Sequence, residues 1–95
     1  MSKNIENKEN VLEQKYDINS EPVLKDVLKA FLKNSNLKVT VSYIQRKFQL
    51  GYARACRLID IMEYLGFVSE YDGSKGRTLL ITAEKFEEIF GENLD

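Results

Sequence analysis

The chain contains no histidine and a single cysteine, Cys56. One thiol excludes an internal disulfide. One thiol without an imidazole also excludes a zinc finger, a Cys–His nucleophile and a Ser–His triad. No apolar run approaches the roughly 20 residues that cross a bilayer. The opening MSKNIENKENVLEQ has no apolar stretch of the signal-peptide kind. A G-x-x-x-x-G-K-[ST] phosphate loop is missing too: the run Asp72-Gly73-Ser74-Lys75-Gly76 carries glycines but leads into a strand pattern rather than a helix. The expectation is a reduced, cytoplasmic protein with no cofactor, no metal site, no membrane partner and no enzymatic activity.

What is present is the makings of one small domain. The chain has 95 residues, 43% of them hydrophobic and 31% charged, and a chain of this length buries about 60–65% of its unfolded surface. The net charge is −1, which taken alone argues against nucleic acid. Its distribution argues differently. Residues 21–41 and 42–81 each carry a net +2, whereas residues 82–95 set Lys85 against five acids. The middle is mildly basic, and the acidity comes mainly from the C-terminal end.

Residues 1–19 are polar, with sparse apolar positions, and read as a flexible tail. Ser20, Glu21 and Pro22 resemble a helix start, with Ser20 as N-cap. Val23, Leu24, Val27, Leu28 and Phe31 then follow the spacing of an amphipathic helix. Val39–Val41 is long enough for a short strand only. Ser42 and Gln45 form a capping-box pattern opening a second helix, which Leu50 and Gly51 break. A third helix is expected from Tyr52 to Leu65, with Gly66 just past its end. Two helices so tightly joined make a helix-turn-helix. Phe67–Ser69 and Thr78–Ile81 read as strands of a hairpin whose tip, Tyr71 to Arg77, carries two glycines and two cations. Thr82 is placed to cap a last helix, 83–90, with Ala83, Phe86, Ile89 and Phe90 as its apolar face. The fold class expected is mainly α with a small β-hairpin: a winged helix-turn-helix over residues 20–82, extended by a short acidic helix and tail, 83–95.

In the third helix, Ala55, Leu58, Ile59, Met62 and Leu65 are expected in the core, with Arg54, Arg57, Ile61 and Tyr64 facing outward and Arg54, Arg57 and Ile61 counted among the residues that contact DNA. An arginine near the start of such a helix donates two hydrogen bonds to guanine O6 and N7, or clamps a phosphate. Ser42, Tyr43 and Tyr52 lie at helix starts, where backbone N–H groups and hydroxyls hold phosphates; half-buried core tyrosines are the competing reading. Ser74, Lys75 and Arg77 are placed to touch a DNA backbone or minor groove. Cys56 reads as a small structural filler.

The order and spacing of Leu50-Gly51-Tyr52-x-Arg54-Ala55, Arg57-Leu58-Ile59-Asp60-x-Met62-Glu63 and Asp72-Gly73-Ser74-Lys75 resemble the C-terminal gamma domain of the FtsK/SpoIIIE DNA translocases. The likeness spans residues 22–81. It implies a winged helix that reads short, G-rich polar sequences in double-stranded DNA, with several domains bound side by side. In some members the domain also contacts a recombinase. By position, Arg54 and Arg57 correspond to recognition-helix residues. Ala53 departs from the asparagine usual there, leaving contact with a thymine methyl as its simplest role. The 95 residues hold no motor sequence, so the expectation is a free-standing DNA-binding regulator or accessory protein.

The competing expectation is a protein-interaction module on the same fold. The acidic balance, an outward Ile61 and Tyr64, and a homodimer through Phe86, Ile89 and Phe90 are its supports.

Overall fold

The computed structural model describes residues 14–34 and 36–94. Most of the expected tail, residues 1–13, lies outside the described residues. The fold is mainly helical, with four helices among the described residues: α1, Leu24–Leu32; α2, Val41–Phe48; α3, Tyr52–Tyr64; and α4, Ala83–Phe90. None is long and apolar enough to cross a membrane.

All elements meet in one core. Leu24, Val27, Leu28 and Phe31 of α1 and Ile44 of α2 pack with Ala55, Leu58, Ile59, Ile61 and Met62 of α3. Val39, Phe67, Val68 and Ile81 from the connecting segments and Phe86 of α4 complete it. The α1 stripe follows the expected spacing, with Val23 half-buried at its edge.

Three helix starts illustrate how caps are chosen. The helix expected from Ser20 begins at Leu24 instead. The Ser20 hydroxyl accepts the Asp17 N–H at 2.8 Å, closing a turn that leaves it no role as a cap. Ser42 does not open α2 either. Thr40 is the N-cap and accepts the Tyr43 N–H at 3.1 Å, two residues before the expected position. Val41, expected in a strand, is therefore the first residue of α2. Thr82 caps α4 as expected, accepting from the Lys85 N–H. Ala83 is nonetheless exposed, so the buried side of α4 is narrower than its apolar residues alone indicate.

The α2–α3 connection turns on Gln49, which takes a left-handed conformation at φ 55° and ends α2. Gly51 then opens α3 in extended backbone. At the far end of α3, Gly66 adopts φ 82°. Its N–H bonds the Glu63 carbonyl at 3.0 Å, and the Phe67 N–H bonds the Met62 carbonyl at 2.7 Å. This pair of bonds satisfies the last carbonyls of the helix and turns Phe67 into the core.

The expected hairpin is reduced to isolated pairing. Val68 and Leu79 form one antiparallel bridge, and Val39 and Arg77 another. Backbone bonds flank the first bridge, the Ser69 N–H donating to the Thr78 carbonyl at 2.9 Å and the Leu80 N–H to the Phe67 carbonyl at 2.8 Å. Side chains add to them: the Ser69 hydroxyl accepts the Thr78 N–H at 2.9 Å, and within the turn the Asp72 carboxylate accepts the Ser74 N–H at 3.0 Å. Gly76 permits the close approach of this turn to Lys38 and Thr40 in the segment before α2. A Cβ there would lie 2.5 Å from the Lys38 Cβ.

Glu92, just past α4, is gripped by Lys25 and Lys29 of α1. These two ammonium groups, Lys29 first, hold its carboxyl at about 2 against an ordinary 4.5.

Two outcomes are expected. Gly76→Ala destabilises the fold by about 1–3 kcal/mol, the usual cost of forced overpacking, while Gly51→Ala, whose added Cβ meets nothing within 4 Å, changes the melting temperature little. A depressed carboxylate stabilises the folded state above its unfolded pKa and loses that contribution as pH falls through the folded value. Glu92→Gln should therefore melt below the parent at neutral pH, with the gap closing between pH 4.5 and about 2. At 37% side-chain exposure, solvent keeps that gap small. Melting curves across pH check both.

Candidate nucleic-acid interface

The solvent side of α3 begins at its N-terminus. Gly51 supplies no side-chain cap, so the first backbone N–H groups of α3 lack the side-chain acceptor that Thr40 gives α2. Tyr52, Ala53, Arg54 and Arg57 are exposed on the turns that follow. The Tyr52 hydroxyl is shifted above its ordinary pKa by Cys56 one turn on, first through hydrogen bonding and then through charge.

Arg54 does not extend alone into solvent. Its Nε donates to Glu21 Oε1 at 2.9 Å, and its Nη2 donates to the same oxygen. Glu21 is the sole charged residue buried among the described residues, at 6% exposure, whereas the Arg54 side chain is 44% exposed. The hydrogen bond to Glu21 raises the Arg54 pKa further. Sequence reading took Glu21 for a first-turn acid. Its true partner lies 33 positions away, which no local pattern signals.

Arg57 lies over the ring of Tyr16, 5.7 Å from its centroid. Tyr16 meets Tyr64 edge to face, with centroids 5.5 Å apart and planes at 87°. The Lys15 N–H donates to the Tyr64 hydroxyl at 2.9 Å. Tyr16 and Ile18, expected in a tail ending at residue 19, thus pack against the core. The aromatic at position 16 was the one available signal.

Ile61 is a correction. Expected outward as a DNA contact, it is fully buried and has no surface to offer a duplex. Seven residues span about two helical turns, which puts Ile61 in line with Arg54. That line is the edge of the apolar face, not the middle of the polar one. Arg57 and Tyr64 lie beyond the edge, in solvent.

The remaining expected residues divide. Ser42 is exposed, and Tyr43 is half-buried with its ring 5.1 Å from that of Phe31. Lys75 is exposed at the tip of the 69–77 turn. The Ser74 hydroxyl faces Asp72 Oδ1 at 2.7 Å and the Gly76 carbonyl at 3.0 Å. With one proton to give, it is engaged inside the turn. These bonds also hold the Asp72 carboxyl below its ordinary pKa. Arg77 is turned inward, with only 14% of its side chain exposed. Its Nη1 donates to Glu63 of α3 at 2.7 Å and to the Ser69 carbonyl at 3.0 Å.

Comparison with known proteins adds kinship to this geometry. The family described as the Ftsk gamma domain matches residues 19–82. The chain is 52% identical over 50 residues to the DNA translocase SpoIIIE of Bacillus subtilis, covering 53% of this chain and 6% of that protein. It is 36% identical over 73 residues to the DNA translocase FtsK of Caldanaerobacter subterraneus, covering 77% of this chain and 10% of that protein. It is 41% identical over 61 residues to the FtsK of Borreliella burgdorferi, covering 64% and 8% respectively. The chain thus spans a tenth or less of the length of these relatives.

Arg77→Ala is expected to lower stability by roughly 1–3 kcal/mol, the cost of losing hydrogen bonds to a charged, part-buried partner. Lys75→Ala should leave thermal stability unchanged. Thermal denaturation of the two variants side by side makes the test, and equal melting temperatures would refute the role of Arg77 as a strut.

Proposed function

The chain belongs to the FtsK gamma domain family, and from that premise we propose that it binds double-stranded DNA as a winged helix-turn-helix. In this reading α2 and α3 are the helix-turn-helix, α3 is the recognition helix, and the Phe67–Ile81 segment is the wing. The observation that carries it is the solvent side of α3, where Arg57, Arg54 and Ala53 follow an N-terminus without a side-chain cap. Arginines near the start of a helix suit guanine edges in the major groove. The N–H groups of that first turn suit a phosphate.

The proposed roles follow from exposure and position along the helices. Arg57 and Arg54 read bases, and Ala53 offers a methyl to a thymine. Tyr52 donates its hydroxyl to a backbone phosphate, with Ser42 and Tyr43 at the start of α2 as further backbone contacts. Lys75 meets the backbone from the wing tip. Arg77 and Ser74 shape the wing rather than touch DNA. Relatives that carry this domain are named DNA translocases, so a part in orienting or assisting such a motor on chromosomal DNA accords with the family. Side-by-side binding of several copies and contact with a recombinase belong to the same reading.

The protein-docking alternative loses much of its basis. Ile61 is buried, and Phe86, central to the supposed dimer face, has no exposed surface.

Fluorescence anisotropy with a G-rich polar duplex and its scrambled counterpart, at low and moderate salt, tests the proposal. Tight binding that weakens steeply with salt and prefers the G-rich duplex is expected. Arg57→Ala should cost about 1–3 kcal/mol on the preferred duplex and relax the preference. Lys75→Ala should weaken both duplexes alike and reduce the salt slope by about 1. Absence of binding to either duplex would overturn the reading.

A further inference from the structure

The two arginines of α3 share an unusual circumstance: each is held by a residue from the segment that precedes α1. Glu21 accepts from Nε and Nη2 of Arg54, and the ring of Tyr16 lies under the Arg57 guanidinium. Tyr16 is fixed in turn by its edge-to-face contact with Tyr64, and Tyr64 by the Lys15 N–H. Segment 15–21 thus lines the solvent side of α3 from Arg54 to Tyr64.

A buried carboxylate is costly unless a cation stays beside it. Glu21, at 6% exposure, therefore holds Arg54 in one place. A guanidinium has five N–H donors in a planar fork. Glu21 takes the edge formed by Nε and Nη2. The Nη1–Nη2 end of the fork is the part suited to guanine O6 and N7. Pairing also cancels the charge of Arg54, which weakens its general pull on phosphates while leaving its directional donors in place. A cation over an aromatic face, as at Arg57, is likewise oriented without being neutralised.

Building on the DNA-binding reading above, we propose that Glu21 and Tyr16 are positioning residues for base recognition, fixing the guanidinium planes of Arg54 and Arg57 toward base edges rather than phosphates. Neither residue touches DNA. Each acts through its arginine, and each trades affinity for any sequence against preference for one.

The test uses the full chain and four proteins: the parent, Glu21→Gln, Tyr16→Ala and Tyr16→Phe. Each is titrated onto the G-rich polar duplex and its scrambled counterpart at two salt concentrations. For Glu21→Gln, the ratio of the two affinities should fall about five- to tenfold, the lower end of what one bidentate base contact is worth, because Arg54 itself remains. Binding to the scrambled duplex should hold or tighten, with a steeper salt dependence, because a freed Arg54 reaches phosphate. Tyr16→Ala should lower the ratio through Arg57, and Tyr16→Phe, which keeps the ring, should restore it. A purely structural role predicts equal losses on both duplexes and an unchanged ratio, and that result would overturn the proposal.

A parent that binds both duplexes equally would also overturn it while leaving DNA binding intact. A parent that binds neither removes both readings together. Should Glu21→Gln fail to fold, the parent alone decides. A slowly exchanging Arg54 Nε–H resonance in the free protein is expected, and exchange as fast as that of a solvated arginine would refute the held geometry.

Discussion

Everything in this chain depends on the burial of one side of α3. Ala55, Leu58, Ile59, Ile61 and Met62 are in the core, and each other element reaches that core with at least one apolar side chain. A domain this small, with a single thiol, has no disulfide to share the load, so apolar burial has to fix its architecture. The core therefore also fixes which residues of α3 face solvent and which lie at the edge. Arg54 is an edge residue because Ile61, two turns on, is buried. A half-exposed cation at that boundary finds a carboxylate in the adjoining segment, and Glu21 supplies it.

The charge pattern follows the same logic. The chain is slightly acidic overall, yet its charges are sorted. Two lysines of α1 converge on Glu92, which draws basic charge on that face into local pairs and joins the acidic C-terminal end to α1. The solvent side of α3 and the tip of the 69–77 turn present Arg57 and Lys75 elsewhere. A field that guides a polyanion depends on this local sorting rather than on the sum. The net charge is a poor guide here for that reason.

Much of the helical layout was legible in the sequence, because caps and periods are local. Gly66 marks the end of α3 and Thr82 the start of α4, where left-handed backbone and a hydroxyl acceptor are needed. Two other starts were misread for equally local reasons. Ser20 and Thr40 both sit near hydroxyl or acidic competitors, and the chain settled between them by closing a turn at Asp17 in one case and by starting α2 at Val41 in the other. The width of an apolar stripe is a different matter. Periodicity locates its centre but not its edge, and Ile61 fell on the wrong side. Pairings over long separations were invisible. Glu21 meets Arg54 and Arg77 meets Glu63 only once the core has brought the segments together, so the sequence showed the cations of the candidate site without showing which were already committed.

The inward turn of Arg77 has a consequence for the site as a whole. Through Glu63 it ties the 69–77 turn to α3, and through the Val39 bridge it ties the same turn to the segment before α2. Asp72, Ser74 and Gly76 stiffen the tip with short side-chain bonds. Lys75 at the tip and Arg57 on the helix are therefore mounted on one frame. If both meet a duplex, little ordering entropy has to be spent at the moment of contact, because the relative placement of the two cations was settled on folding. A mobile basic loop of the same composition would bind phosphate wherever it found it. A braced tip fixes the distance from Arg57 to Lys75, and on the proposed reading that distance would set how deeply, and in what register, α3 meets a groove.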